Sequence, residues 1–331
     1  MSDLENKNIY YDLNKLLSYN KFLNISIGAR GRGKSYAAKR WCINGWIKNK
    51  EQFVYVRRYM TEFENINNYF SDIADIYPNH EFEVRNGCFY IDGAIAGYYM
   101  ALSKSQQQKS NSYPQVKRIV FDEFIIDKGR ITYLKNEVEV FLDIIETIAR
   151  TRDDVRVLMI SNAISSINPY FLHFGIFPHE GDRIICKEEI VVDIDKNQAF
   201  IDYKKQTKFG RLIADTSYGK YSIENEFLRD NKSFIEKMSG VSICWYGIKY
   251  EGQVYSIWYN QPSGYVFITK KDMPSSCELY AITTDDHKPN MVLLSRSKQV
   301  FKNLLTAYEY GSVRFDCLQS KAAFQNIIQL L

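Results

Sequence analysis

An eight-residue stretch near the start of the sequence combines three glycines with a lysine and a serine. Residues 28–35, GARGRGKS, fit the pattern G-x-x-x-x-G-K-[ST]. The apolar residues 22–27 (FLNISI) before them predict a short buried strand, and residues 36–43 (YAAKRWCI) predict the start of a helix. A strand, a glycine-rich loop and a helix in this order form the context in which the pattern binds nucleotide phosphates.

Each residue type in this loop has a defined chemistry toward a polyphosphate. Glycines let the backbone turn so that its N–H groups point inward, and the helix N-terminus adds partial positive charge. Lys34 is predicted to reach the β- and γ-phosphates, and the Ser35 hydroxyl to hold Mg²⁺. The expected cofactors are ATP and Mg²⁺, and the predicted cofactor-binding residues of the loop are Gly28, Ala29, Arg30, Gly31, Arg32, Gly33, Lys34, Ser35 and Tyr36.

A second predicted strand ends in two acids. Residues 117–121 (KRIVF) are rich in β-branched and aromatic side chains, and Asp122 and Glu123 follow them. Asp122 is expected to bind the magnesium with its water shell, and Glu123 to orient and deprotonate the attacking water. Many strands end in two acids, but together with residues 28–35 the pair indicates nucleotide hydrolysis. A module that only binds ATP would need no base at Glu123.

Further polar residues follow the next predicted elements. A helix over residues 133–150 ends in Arg150, with Arg152 close behind. The helix dipole favours arginines there, but either could also serve as an arginine finger for a neighbour's ATP. The strand over residues 155–162 places Asn162 where it can sense the γ-phosphate. The order of these parts matches a ring-forming ATPase better than a small-molecule kinase.

Two arginines end another predicted strand, residues 51–57. Arg57 and Arg58 are either part of a solvated edge or face the nucleotide, because ligands bind at the carboxyl ends of strands in open α/β sheets. After them the apolar spacing of residues 63–76 predicts a helix.

Composition indicates an ordinary globular protein of 331 residues, 45% hydrophobic and 25% charged, with a mild net charge of +4. The six cysteines are scattered without a C-x-x-C pair, which argues against a zinc site or a disulfide framework. The polar N-terminus is no signal peptide, and no apolar run approaches the ~20 residues of a membrane span. We therefore expect a soluble, cytoplasmic protein without membrane contact.

The pattern of elements predicts an α/β fold in two domains. Residues 1–202 are expected to form a P-loop domain with a mostly parallel central sheet, and the polar, basic residues 203–232 a linker or small subdomain. Residues 233–331 begin with three strands joined by turns, an antiparallel meander. A fourth strand (279–284), a helix (298–308), a fifth strand (312–316) and a last helix (321–331) follow. This order suggests a smaller α+β domain of RNase-H-like fold.

Several motifs resemble the genome-packaging ATPases of small tailed bacteriophages of the Bacillus-podovirus type. They are FLNISIGARGRGKSYA, QFVYVRRY, KSNSYP, IVFDEF, ISNAISSINPYF and TKFGRLI, and the likeness continues to residues 280–286 (YAITTDD). KSNSYP and NPYF are much more specific than the glycine-rich loop alone, and nearly the whole chain is covered.

The resemblance implies an ATPase of the additional-strand, catalytic-glutamate class, related to the large terminases. Such proteins form a homomeric ring, typically a pentamer, that translocates double-stranded DNA into an empty capsid in the host cytoplasm. The ring docks on the capsid portal through a structural RNA. By this resemblance Lys34 and Ser35 are Walker A residues, and Asp122 and Glu123 are Walker B residues. Arg150 matches a trans-acting finger and Lys109 a loop lysine that reaches the neighbouring active site.

Large terminases also carry a nuclease, whose RNase-H-like domain needs several carboxylates to hold two metal ions. The first meander strand, residues 241–246, has no acid, and within residues 233–331 Asp285 and Asp286 form the only close acidic pair at a strand end. An active, DNA-cutting terminase is therefore the less favoured alternative. We expect a vestigial nuclease that docks to RNA, portal or DNA, with a basic cluster at Arg296, Lys298 and Lys302.

Overall fold

The computed structural model describes residues 9–108, 112–126, 132–162, 165, 168–176, 178, 182–224, 234–295 and 298–330. The chain divides into two units. One comprises Met1–Pro169 and Pro178–Arg229, and the other Tyr170–Phe177 and Asp230–Leu331. No helix in the described ranges is long and apolar enough to cross a membrane.

A nine-stranded sheet forms the centre of the first unit. Its strands are β1 (Leu23–Gly28), β2 (Gln52–Arg57), β3 (Phe82–Arg85), β4 (Cys88–Ile91), β5 (Ala94–Ala101), β6 (Val116–Asp122), β7 (Arg156–Asn162), β8 (Ile184–Lys187) and β9 (Ile190–Asp195). Their spatial order is β3-β4-β5-β2-β6-β7-β1-β9-β8. The strands from β5 to β9 in this order are parallel, and antiparallel hairpins add β4, β3 and β8 at the two edges. The predicted mostly parallel sheet is confirmed.

Strand β7 lies between β1, which leads into the glycine-rich loop, and β6, which ends in the acids. Every residue of β1 and all but the two ends of β7 are buried. Burial on both faces explains why these strands are nearly continuous apolar runs. Because the strands are parallel, β1, β2, β6, β7 and β9 all end at the same edge of the sheet. β7, which lies between β1 and β6, is the additional strand of the predicted class.

The described helices are α1 (Leu13–Leu17), α2 (Lys34–Asn49), α3 (Glu137–Ala149), α4 (Pro169–Phe174), α5 (Gln198–Gln206), α6 (Lys208–Ile213), α7 (Ser217–Glu224), α8 (Gln299–Glu309) and α9 (Leu318–Leu330). The helix predicted over residues 63–76 is wrong, because this stretch forms short 3-10 turns at Met60–Phe63, Ile66–Asn68 and Ala74–Ile76. Ser71 offers the backbone a local alternative to a helix, because its hydroxyl donates to the Asn68 carbonyl.

The domain boundaries differ from those predicted. Within the segment 203–232, predicted as a linker or small subdomain, the described residues continue α5 and form α6 and α7, and they belong to the first unit. Local capping starts two of these helices: Asn197 Oδ1 accepts from the Phe200 N–H, and Thr207 Oγ1 from the Gly210 N–H.

The second unit is built on a six-stranded sheet. Its strands are β10 (Ser242–Tyr250), β11 (Gln253–Asn260), β12 (Val266–Thr269), β13 (Glu278–Ala281), β14 (Val292–Leu293) and β15 (Val313–Phe315). β10, β11 and β12 form the antiparallel meander, while β13 runs parallel to β10 and β14 parallel to β13. This is RNase-H-like strand order, as predicted. The predicted fifth strand is β15, which instead pairs with β12 at the opposite edge.

Candidate nucleotide-binding site

The loop between β1 and α2 carries the glycine-rich motif. β1 ends at Gly28 and α2 begins at Lys34. Gly31 and Gly33 have φ angles of 89° and 81°. Other residue types rarely adopt such angles, so these two glycines allow the turn. The carboxyl ends of β7 and β9, the strands on either side of β1, lie beside the loop.

The Lys34 ammonium lies inside this loop. Its Nζ donates to the carbonyls of Gly28 (2.8 Å) and Ala29 (3.0 Å) and to Asn162 Oδ1 (3.3 Å). Burial lowers the pKa of Lys34 to about 8, and the carboxylate of Asp195 acts in the opposite direction. A phosphate beside the ammonium would favour its charged form. Lys34 and Asn162, predicted from separate motifs, therefore meet at one point.

Asp122 lies buried at the end of β6 and contacts the start of α2. Its Oδ2 accepts a hydrogen bond from the Tyr55 hydroxyl at 2.9 Å, and the Ser35 hydroxyl lies close enough to oppose the rise in the pKa of this carboxylate. Burial raises the pKa of Asp122, although the Arg57 guanidinium opposes the shift. A bound cation would favour the carboxylate form. Ser35 and Asp122, the two predicted metal ligands, are thus neighbours in the structure.

Glu123 turns its side chain toward solvent. Its φ of 60° lies in the left-handed region, and its N–H donates to the Ile160 carbonyl of β7 at 2.8 Å. The side chain is 56% exposed, and Oε2 accepts from Arg57 NH2 at 2.6 Å. Arg57 also binds Glu62, at 3.0 Å. The sequence left open whether Arg57 belongs to a solvated sheet edge or faces the nucleotide. Its contact with Glu123 favours the second interpretation.

Arg58 has a structural role instead. It is 1% exposed, and its guanidinium binds both carboxylate oxygens of Glu137 at 2.7 and 2.8 Å. It also donates to the Phe124 carbonyl at 2.8 Å and lies over the ring of Tyr133. Arg58 therefore anchors the chain that follows Glu123 to the first turn of α3.

The two arginines of the glycine-rich loop, Arg30 and Arg32, lie in different surroundings. Arg30 is exposed, and its carbonyl accepts from Lys204 Nζ at 2.6 Å. Arg32 is buried with its guanidinium on Asp195. The prediction that Arg32 binds the cofactor can therefore concern only its backbone. Tyr36 is half-buried in the first turn of α2.

The two finger candidates differ in their surroundings. Arg150 is exposed at the end of α3 with a φ of 50°, and its guanidinium has no hydrogen-bond or ion-pair partner among the described residues. Arg152 donates to the carbonyls of Pro114 (2.8 Å) and Ile148 (2.6 Å) in its own chain. Arg150 is thus the one whose side chain remains available to a neighbour. Lys109 lies outside the described residues.

The arrangement fits ATP with Mg²⁺. Among the described residues, the hydrogen-bond partners of the buried Lys34 ammonium are carbonyl and amide oxygens, which a phosphate could replace. The Ser35 hydroxyl and the Asp122 carboxylate would supply two oxygen ligands, a number that suits Mg²⁺ because this ion usually keeps several waters.

Sequence reasoning missed two residues of this site. Tyr55 hydrogen bonds to Asp122 from the neighbouring strand β2, and Asp195 binds Arg32 from the end of β9. Asp195 could have been predicted from the sequence, because it ends a strand rich in β-branched residues, as Asp122 ends another.

The acidic pair of the second unit has a structural explanation. The Asp286 carboxylate accepts from the N–H groups of Glu251 (2.8 Å) and Gly252 (2.9 Å), so it caps the turn between β10 and β11. Asp285 is exposed. No group of three or more His, Cys, Asp or Glu in the described part of the chain is placed to hold a metal ion.

The predicted basic cluster is only partly described. Lys298 lies half-buried before α8 with its Nζ over the ring of Tyr280 at 5.3 Å, and Lys302 is exposed on α8. Arg296 lies outside the described residues.

The fold and this site together define a P-loop NTPase of the additional-strand class, followed by an RNase-H-like unit. The profile of the podovirus DNA encapsidation protein (Gp16) family matches residues 5–329, and the chain belongs to this family. It is 42% identical over 312 residues to the DNA packaging protein of Bacillus phage phi29, covering 94% of each chain. It is 43% identical over 303 residues to the DNA packaging protein of Bacillus phage B103, covering 91% of this chain and 94% of that one.

Solved structures agree with these relatives. A chain in the bacteriophage phi29 viral genome packaging motor assembly superposes with a TM-score of 0.79 at 41% identity, covering 97% of this chain and 98% of that one. The N-terminal domain of the phi29 DNA packaging ATPase matches with a TM-score of 0.55 at 46% identity, covering 58% of this chain and 98% of that one. The resemblance stated from the sequence is confirmed.

Proposed function

We propose that this chain hydrolyses ATP with Mg²⁺ and uses the energy to move double-stranded DNA into a viral capsid. One observation carries the hydrolysis: the acids that end β6 lie at the same sheet edge as Lys34 in the loop after β1. The hydrogen bond from Lys34 to Asn162 and the proximity of Ser35 to Asp122 join the parts of this site.

Each group has a role set by its chemistry. Lys34 and the N–H groups of the loop bind and neutralise the phosphates, while Ser35 and Asp122 hold the ion. Mg²⁺ shields the charge of the phosphates when it is bound. Glu123 accepts the proton of the attacking water, and ADP and phosphate leave as products. Glu123 can act as a base only when Arg57 no longer occupies its carboxylate.

The ring is the second part of the proposal. Arg150 has a guanidinium available to a neighbouring copy, which suits a finger that acts on the next subunit's ATP, and Lys109 is proposed to act in the same way. A homomeric ring, proposed to be a pentamer, would dock in the host cytoplasm at the capsid portal through a structural RNA. The similarity to a chain of a viral genome packaging motor assembly supports this placement.

The test is ATP hydrolysis by the purified chain, alone, with double-stranded DNA, and with DNA plus empty capsids that carry portal and structural RNA. We expect slow hydrolysis alone, faster hydrolysis with all components, and DNA protected from added nuclease inside the capsids. A chain that hydrolyses ATP but protects no DNA would remove the motor assignment. A chain that hydrolyses none would remove the enzyme assignment as well.

The second unit is proposed to bind nucleic acid or portal through cations such as Lys302 and to cut no DNA. The turn-capping role of Asp286 supports the second statement. Incubation of the full chain with plasmid and Mn²⁺ should leave the DNA intact. Metal-dependent cleavage that Asp285→Ala abolishes would favour the alternative of an active terminase nuclease.

A further inference from the structure

A buried ion pair joins the glycine-rich loop to a strand beside it. Arg32 is 3% exposed, and its Nε and NH2 donate to Asp195 Oδ2 and Oδ1 at 2.5 and 2.9 Å. Asp195 is the last residue of β9 and lies opposite Gly28, the last residue of β1, in the parallel register. The pair therefore connects the second half of the loop to the strand that flanks its start.

The remaining polar atoms of Arg32 are also bound. NH1 donates to the Ile9 carbonyl, and the Arg32 carbonyl accepts from the Tyr11 N–H at 2.8 Å. The Phe200 ring lies 5.4 Å from the guanidinium carbon, and Ile9, Ala29 and Phe200 form a small buried cluster. Arg32 is thus held by three parts of the chain: Ile9 and Tyr11 before β1, Asp195 at the end of β9, and Phe200 in α5.

Asp195 also lies against both ends of the loop. A Cβ atom added at Gly28 would lie 3.3 Å from Asp195 Cβ and Oδ2 and 3.4 Å from Lys34 Cδ. The carboxylate group is therefore packed close to the first loop residue while it binds the side chain two positions before Lys34. A shift of either charged partner would be transmitted directly to the loop.

Stability alone does not require charges at this place. Removal of one partner of a buried ion pair costs about 3–5 kcal/mol, but an uncharged pair of similar volume is often as stable. What a bidentate arginine–carboxylate pair adds is a fixed orientation. A loop that is held in its binding shape beforehand loses less conformational freedom when the ligand arrives.

We propose that Arg32 and Asp195 are positioning residues for the nucleotide: their bidentate contact fixes the glycine-rich loop in the shape that receives the phosphates. Neither side chain needs to touch the nucleotide for this role. The inference rests on the proposed ATP site and adds a specific device to it, a clamp formed by one residue of the loop and one of β9.

The test compares an uncharged double variant, Arg32→Met with Asp195→Asn, with a matched control. The control is Arg118→Met with Glu51→Gln, which removes another ion pair with little exposure, 15% and 19% for the two side chains. For each protein we would measure thermal unfolding, the Kd for a fluorescent ATP analogue, and kcat and KM for ATP. If the clamp exists, both variants should still unfold cooperatively. The Kd and KM for ATP should rise roughly tenfold in Arg32→Met with Asp195→Asn and stay unchanged in the control. The kcat of the first variant should stay within about threefold of the wild-type value, because the clamp acts on binding.

Arg32→Lys provides a second, milder test, because it keeps the charge and loses the fork of two hydrogen bonds. We expect an intermediate KM. If either folded variant at this pair binds ATP with the wild-type Kd, the clamp is only structural and the inference is wrong. If the wild-type chain itself binds no ATP, the proposed function fails first, and the binding measurement on the wild type separates the two cases.

Discussion

Arg57 NH2 lies 2.6 Å from Glu123 Oε2, so the residue assigned as catalytic base is held by a cation from the neighbouring strand. The guanidinium occupies a carboxylate oxygen that would have to face the attacking water, so the ion pair has to open before this oxygen can accept a proton. In the proposed reaction, this ion pair therefore acts as a restraint on hydrolysis.

Replacement of Arg57 tests this restraint. Arg57→Ala should raise ATP hydrolysis in the absence of DNA by up to about fivefold, since a half-exposed ion pair is worth about 1 kcal/mol at most. Glu62→Gln, which removes the other carboxylate bound to Arg57, serves as control and should change the rate little. Steady-state phosphate release is the measurement. A strong loss of activity in Arg57→Ala would mean that the arginine takes part in the reaction instead.

Glu123→Gln should separate binding from chemistry. The amide keeps the shape of the side chain but cannot accept the proton of water, so kcat should fall by about 10²–10⁴ while the Kd for ATP stays within about twofold. Lys34→Ala should weaken binding as well. The assignment of Glu123 would end if the Glu123→Gln protein turned over ATP at the wild-type rate.

The two arginines after α3 should behave differently. Arg152→Ala loses hydrogen bonds to carbonyls of its own chain and should destabilise the fold by about 1–3 kcal/mol. Arg150→Ala should leave the melting temperature unchanged but lower hydrolysis in assembled rings by roughly 10³ or more. Mixed rings of Arg150→Ala and Glu123→Gln subunits should regain activity, because each supplies what the other lacks across an interface. If no mixture regains ATP hydrolysis, Arg150 acts within its own subunit or has only a structural role.

Asp193 gives a prediction of pH dependence. Burial raises its pKa from 3.8 to about 6, and Tyr11 hydrogen bonds to the same carboxylate at 2.9 Å. Because the folded pKa is the higher one, the stability contributed by the protonated form is full below about pH 4 and lost as pH rises through about 6. Asp193→Asn should abolish this dependence and stabilise the chain at pH 7 by at most roughly 3 kcal/mol. The measurement is the free energy of unfolding by denaturant at a series of pH values. Asp202→Asn, on an exposed face of α5, serves as control and should keep the pH dependence of the wild type. An unchanged profile in Asp193→Asn would contradict the raised pKa.

Local signals in the sequence were enough to predict the parts of the site but not their arrangement. The loop at residues 28–35 and the acids after β6 depend on residue types that are adjacent in the chain, so pattern and chemistry identify them together. The position of β7 between β1 and β6 confirms the expected class, but strand order is decided by packing of the whole sheet. The contact of Arg32 with Asp195 joins residues 163 positions apart, and no local pattern indicates it.

The same limit explains the errors elsewhere. Residues 63–76 have helical apolar spacing, but they form 3-10 turns, and the Ser71 hydroxyl bonds locally to the Asn68 carbonyl. β14 has only two residues, both exposed, and the apolar run around it, residues 291–294 (MVLL), is too short to distinguish a strand from a loop. Its absence from the prediction is why β15 was taken as the fifth strand.

Glu123 and Arg150 share one backbone property: φ angles of 60° and 50°, in the region that glycine tolerates best. Each position stores strain of order 1 kcal/mol that glycine would relieve. Selection for heat resistance alone, without any demand for activity, would therefore favour glycine at these two places and discard both side chains that the proposed function uses. Directed evolution of a more robust version of this protein has to keep a catalytic readout in every round.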